Sequence, residues 1–161
     1  VECSYQVVRS GRKWGISMLI GEYHHNIDEK GRLIIPSKFR EEIGNSFVLT
    51  RGLDGCLSIY SMVNWNKLVE KLKTLSFTKK DARTFMRFFL TGATVCEFDK
   101  QGRINIPSNL TEFANLKKEC AVIGVNDRLE IWNLHKFECL MQENEKSLED
   151  ICENLFDMTL E

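Results

Sequence analysis

Two short stretches of the chain bring together side chains able to meet a phosphate or the edge of a base. Asp28-Glu-Lys-Gly-Arg32 and Asp99-Lys-Gln-Gly-Arg103 each place a carboxylate four residues before a guanidinium, with a glycine just ahead of the arginine. Asp28 and Asp99 suit a tight turn because aspartate accepts hydrogen bonds from the backbone N–H groups that follow it. Gly31 and Gly102 can supply the positive φ such a turn demands. In one reading Arg32 and Arg103 only pair with their aspartates. In the other, the aspartate orders the turn and the arginine faces outward. There its planar fork meets phosphate, or guanine O6 and N7 in the major groove, through two hydrogen bonds, and a two-stranded ribbon is narrow enough to enter that groove. Lys30 and Lys100 add charge nearby at unmatched positions, third in the first turn and second in the other. Lys38 and Arg40 follow in the first copy, where the second has Asn109 and Thr111, so the first copy is the more basic one and the better candidate for DNA contact.

Both stretches belong to a longer internal repeat. Asp28 to Ser37 realigns on Asp99 to Ser108 with a constant shift of 71 residues, and the two prolines of the chain, Pro36 and Pro107, share one repeat position. Leu57-Ser-Ile-Tyr60 realigns on Leu129-Glu-Ile-Trp132, and Trp65 on Phe137, at a shift of 72. Alternation predicts a strand over Glu22 to Ile27 and over Thr94 to Phe98, resuming after each turn at Leu33 to Ile35 and Ile104 to Ile106. Proline then fixes φ for a first helical turn, giving short helices over Ser37 to Ile43 and Ser108 to Ala114. Phe47 to Thr50 with Leu57 to Tyr60, and Ala121 to Val125 with Leu129 to Trp132, read as the remaining strands, and a helix starting near Ser61 or Asn133 closes each copy.

Between the copies, Thr78 to Leu90 has an amphipathic pattern, and Thr78 followed by Asp81 resembles a capping arrangement. From Lys67 to Arg87, seven bases face two acids. Such a stretch either contacts phosphates or forms a solvated helix face. Gln142 to Glu161 holds seven acids and one lysine, with Leu148, Ile151 and Leu155 at helical spacing. It reads as an acidic C-terminal helix or tail that packs on the protein's own surface, binds a partner, or competes with DNA for the basic patch. The domain reading is therefore residues 1–17 outside the repeat, 18–73 first repeat, 74–91 basic helical connector, 92–141 second repeat and 142–161 acidic tail.

The net charge of −1 over 161 residues conceals this division, since the body from Met18 to Met141 carries +3. With 43% hydrophobic residues the chain can fill a core. Apolar runs such as Leu33 to Pro36 and Ala121 to Val125 fall far short of the roughly 20 residues needed to span a bilayer. The six cysteines form no Cys-x-x-Cys pair, and with no signal-like segment they read as reduced thiols filling a core in the cytosol. Neither they nor His24, His25 and His135 show zinc-finger spacing, and adjacent strand residues such as His24 and His25 face opposite ways. No nucleophile elbow, phosphate-binding loop or His-Glu-x-x-His helix is present, so no catalytic residue, metal, cofactor or small-molecule substrate is expected.

The Gly21-Glu-Tyr23 opening, the paired Asp-x-x-Gly-Arg-[Leu/Ile]-x-Ile-Pro stretches, Thr50-Arg-Gly-Leu-Asp54 and Val122-Ile-Gly-Val125 resemble the MraZ family, over about Met18 to Glu153. The resemblance implies an α+β, mainly β fold: two tandem pseudo-symmetric AbrB-like swapped-hairpin repeats forming a small β-barrel with peripheral helices. It also implies a cytoplasmic, nucleoid-associated transcriptional regulator. Such a protein would bind direct repeats in the promoter of the division and cell-wall gene cluster as a ring-shaped homo-oligomer. Ring assembly suits the charge pattern, because a unit with about three or four phosphate contacts binds weakly and gains from avidity. The alternative is an antitoxin-like protein-interaction module built on the same barrel. Val1 to Ser17 departs from the family pattern and reads as an upstream or added segment, with a native extension as the alternative.

Overall fold

The computed structural model describes residues 18–157, so the reading of Val1 to Ser17 and of the last four residues of the acidic tail lies outside the described residues. In chain order the first repeat contributes β1 (Leu19–Asn26), β2 (Arg32–Ile34), α1 (Ser37–Ile43), β3 (Ser46–Arg51), β4 (Leu57–Ser61), α2 (Met62–Lys73) and α3 (Lys80–Thr91). The second contributes β5 (Thr94–Glu97), β6 (Arg103–Asn105), α4 (Ser108–Phe113), β7 (Glu119–Asn126), β8 (Leu129–Asn133), α5 (Leu134–Glu145) and α6 (Leu148–Asp157). Each element anticipated from the sequence is present, with ends displaced by no more than three residues and α1 falling on its expected bounds.

The two repeats are interlocked rather than juxtaposed. β1 of the first pairs with β7 of the second, antiparallel, from Leu19 opposite Asn126 to Asn26 opposite Glu119. β5 of the second pairs with β3 of the first, from Ser46 opposite Glu97 to Leu49 opposite Thr94. β4 and β8 join the halves at the centre, giving a six-stranded sheet in the order β1-β7-β8-β4-β3-β5. Among the described residues the sheet does not close on itself by hydrogen bonds; β1 and β5 are its outer strands, and β2 and β6 form a separate two-stranded ribbon. The turn from Asp28 to Arg32 therefore does not end a simple hairpin, because the strands on either side of it pair with different strands of the other repeat.

The ribbon and the sheet share one core. Leu33 and Ile104 from the ribbon, Phe39 and Leu110 from the short helices, and Phe47, Leu49, Leu57, Val122, Leu129 and Ile131 from the sheet are all buried in a single cluster. Cys56 and Cys120 fill space as expected of small apolar side chains, and burial pushes their thiols up to about 12 and about 11, well away from a reactive thiolate. Cys152 lies exposed on α6, outside that core role.

Ser61 and Asn133 cap α2 and α5, their side chains accepting from the N–H groups of Asn64 and Lys136. The cap anticipated at Thr78 is not made. α3 begins one residue later, behind Lys79, with no side-chain cap, and the Thr78 hydroxyl bonds that of Ser76 instead. What holds α3 is packing: Ala82 and Phe89 are buried, and Phe89 stacks on Trp65 and meets Tyr60. Thr50, buried in β3, donates to the Phe89 carbonyl and ties the helix end to the sheet.

Candidate nucleic-acid interface

The two turns are built alike. The Asp28 N–H donates to the Arg32 carbonyl at 3.0 Å, and the Gly31 N–H to the Asp28 carbonyl at 3.0 Å. Asp28 Oδ1 accepts the N–H groups of Lys30 and Arg32, each at 2.9 Å, while Oδ2 accepts Arg32 Nε at 2.6 Å. In the second turn Asp99 does the same for Gln101, Arg103 and Arg103 Nε, at 2.9, 2.9 and 2.7 Å. Gly31 and Gly102 have φ of 78° and 75°, a region that L side chains avoid. The backbone N–H of Arg32 or Arg103, more than any charge, holds each aspartate below the usual carboxylate range, so both stay ionised near neutral pH.

Pairing and projection thus coexist. Each arginine spends only Nε on its aspartate. Among the described residues no hydrogen bond uses the terminal nitrogens of Arg32 or Arg103, which leaves the fork edge that meets phosphate or guanine. The aspartate fixes the direction in which that edge points.

Strand pairing then brings the arginines together. In the ribbon Arg32 lies opposite Asn105, Leu33 opposite Ile104 and Ile34 opposite Arg103. Because side chains alternate across a strand, burial of Leu33 and Ile104 puts Arg32, Ile34, Arg103 and Asn105 on the other face. Sequence reasoning treated the turns as two separate sites and missed Ile34 and Asn105. An isoleucine 44% exposed between buried Leu33 and Ile35 is the signal, visible as an unbroken apolar run where one partner must face outward. Lys30 and Lys100 are exposed at the two turn tips.

The bases of α1 are placed less simply. Lys38 is exposed. Arg40 crosses to the other repeat: its Nε donates to the Ile35 carbonyl at 2.9 Å, and its guanidinium lies where a side chain on Gly102 would be, 2.6 Å from the site of a Cβ there. The additional base of the first copy therefore serves the second turn. Cross-bonds explain the exchange, since the Ile35 N–H donates to the Gly102 carbonyl and the Ile106 N–H to the Gly31 carbonyl. Each turn is thereby moored to the strand end that leads into the other repeat's helix. Thr111, at the repeat position of Arg40, is too short to cover Gly31. An open groove of about 830 Å³ is left there, lined in part by Lys30, Thr111, Lys117 and Lys118.

His24 bonds Glu22, and among the described residues no group of three His, Cys, Asp or Glu side chains could hold a metal ion. No helix among the described residues is long and apolar enough to cross a membrane.

A family model described as MraZ protein, putative antitoxin-like, matches residues 18–88 and again residues 89–159. The first copy so defined takes in most of α3, and the second takes in α6. A protein of Ligilactobacillus salivarius (strain UCC118) named Transcriptional regulator MraZ is 55% identical over 143 residues, covering 89% of this chain and the whole of that relative. With both halves matched and the interlocked repeat seen in the strands, the chain belongs to the MraZ family.

Proposed function

We propose that this protein is a sequence-specific, double-stranded-DNA-binding transcriptional regulator whose β2–β6 ribbon carries the contact. The observation that supports this reading is the presence of Arg32 and Arg103 on one outward face of a single ribbon, each aimed by its aspartate and each with a fork edge unused. A two-stranded ribbon fits the major groove, and arginine gives the commonest specific contact to guanine. Lys30 and Lys100 at the tips, with Lys38 exposed in the first turn of α1, engage flanking phosphates. The protein acts in the cytoplasm at the nucleoid, on direct repeats in the promoter of its own division and cell-wall gene cluster. It does so as a ring-shaped homo-oligomer, so that several ribbons add their modest affinities.

Fluorescence titration of DNA from upstream of the protein's own gene tests this, run at several salt concentrations against a shuffled duplex. Tight binding to the repeats, with log affinity falling linearly and steeply against log salt, is the expected result. The family description, putative antitoxin-like, together with the exposed helix α6, favours one second reading, a protein-interaction module. Absence of binding to either duplex at low salt would replace the first reading with that one.

A further inference from the structure

Helices α3 and α6 fall at the end of the two family-model copies, yet their surroundings differ completely. α3 buries Ala82 and Phe89 against its own repeat, whereas each of residues 148–156 in α6 is exposed. Leu148, Ile151 and Leu155 lie on one helical face at 55, 38 and 63% exposure, flanked by Glu149, Asp150 and Glu153. An apolar stripe of this kind on a well-formed helix gains little from being helical in water, since such helices owe most of their stability to packing.

The same chain carries a surface of opposite character. Between α2 and α3, Leu75 and Phe77 are 41 and 76% exposed, and Lys71, Lys73, Lys79 and Lys80 are exposed around them. Arg83 Nη1 donates to the carbonyls of Phe77 and Thr78 and fixes the loop that presents Phe77. Both surfaces are open in one chain, so neither covers the other, and their charges are complementary: seven bases to two acids over Lys67 to Arg87, against seven acids to one lysine over Gln142 to Glu161.

We propose that α6 of one copy docks, apolar stripe inward, on the Leu75–Phe77 corner of a second copy. This rests on the oligomer reading above and supplies its contact. The two patches are different parts of the molecule, so the contact is head-to-tail, the kind that propagates until rotation closes a ring. The apolar stripe supplies the attraction, and the acids and lysines set register and choice of partner.

Sedimentation of the full chain, unmodified and in variants, tests the docking. Ile151→Asp with Leu155→Asp should reduce the mass to that of a single 18.7 kDa chain with unchanged circular dichroism in the sheet region, since neither residue is buried. Lys79→Glu with Lys80→Glu should do the same, and adding Glu149→Lys with Glu153→Lys to that variant should restore assembly. Assembly unaffected by the α6 substitutions overturns this docking surface while leaving an oligomer in place. A single chain at all concentrations for the unmodified protein overturns the oligomer reading as well. Hydrogen-exchange protection of α6 in such a single chain would show the helix covered by its own body and would also overturn the proposal.

Discussion

The turn from Asp28 to Arg32 and the turn from Asp99 to Arg103 make the same five hydrogen bonds with lengths agreeing within 0.1 Å, yet only at the second does a side chain of the other repeat occupy the place of a Cβ on the glycine; at Gly31 the nearest such atom, Asn105 Oδ1, stands back at 3.7 Å. Gly102 is buried beneath Arg40; Gly31 is half-buried and borders an open groove. The comparison teaches that local turn chemistry and tertiary support are separate. Aspartate and glycine suffice to shape the turn, and the interlocked topology decides what stands behind it.

The largest expected effect separates the two glycines. A methyl group at position 31 would sit 2.8 Å from the Ile106 carbonyl oxygen, a backbone atom that cannot step aside without moving the strand end whose Ile106 N–H bonds the Gly31 carbonyl. At position 102 it would meet the guanidinium of Arg40, which can swing away. Both variants pay for positive φ, at about 1–3 kcal/mol by the usual cost of such strain. Gly31→Ala should fall at or beyond the top of that range and Gly102→Ala nearer its middle, since displacing the guanidinium also strains the Arg40 bond to the Ile35 carbonyl. Urea unfolding measures both, and equal losses would remove the distinction drawn here.

Next in size is Arg40→Ala. Losing the bond to the Ile35 carbonyl and the cover over Gly102 should cost about 1 kcal/mol, or roughly fivefold faster exchange of the Gly102 and Arg103 amides, with those of Gly31 and Arg32 unchanged. Equal acceleration at both turns would mean that Arg40 acts on the whole body. A smaller gain is expected from Thr111→Arg, which places in the second repeat the side chain that the first already has. Exchange at Gly31 should slow by a fewfold as the groove beside it fills. No slowing would show that the groove is shaped by more than the missing side chain.

The smallest effect concerns pH. Asp28 and Asp99 are both held below their ordinary value of 3.8, so their contribution to folding is complete above that pH and is lost only as pH falls through the lower folded-state values. Turn order should be flat from pH 5 to 7, and carbon-13 titration should place both carboxyl midpoints below 3.8. Well separated midpoints would show that the turns are less alike than their hydrogen bonds.

Much of this was legible along the chain because it is local. The repeat offset located both turns, Pro36 and Pro107 marked the short helices, and Ser61 and Asn133 marked the starts of α2 and α5. Partnership was not legible. No residue in β1 announces that it pairs with β7 rather than with β2, since alternating patterns specify which face is buried and leave the neighbour open. The crossing of Arg40 to Gly102 follows from that same exchange, and so stayed hidden. The basic connector and the acidic tail looked unrelated because their compositions are opposite. Only the matched copies, 18–88 and 89–159, align the helices that end them.

The ribbon as a single DNA-contacting element is the central claim, and affinity for the upstream repeats in Arg32→Ala and Arg103→Ala, taken separately and across salt, tests it most directly. Each variant, with its fold intact, should bind roughly 5- to 150-fold more weakly, the loss of about 1–3 kcal/mol typical of a specific arginine contact. Binding as tight as that of the unmodified protein in either variant would contradict the claim.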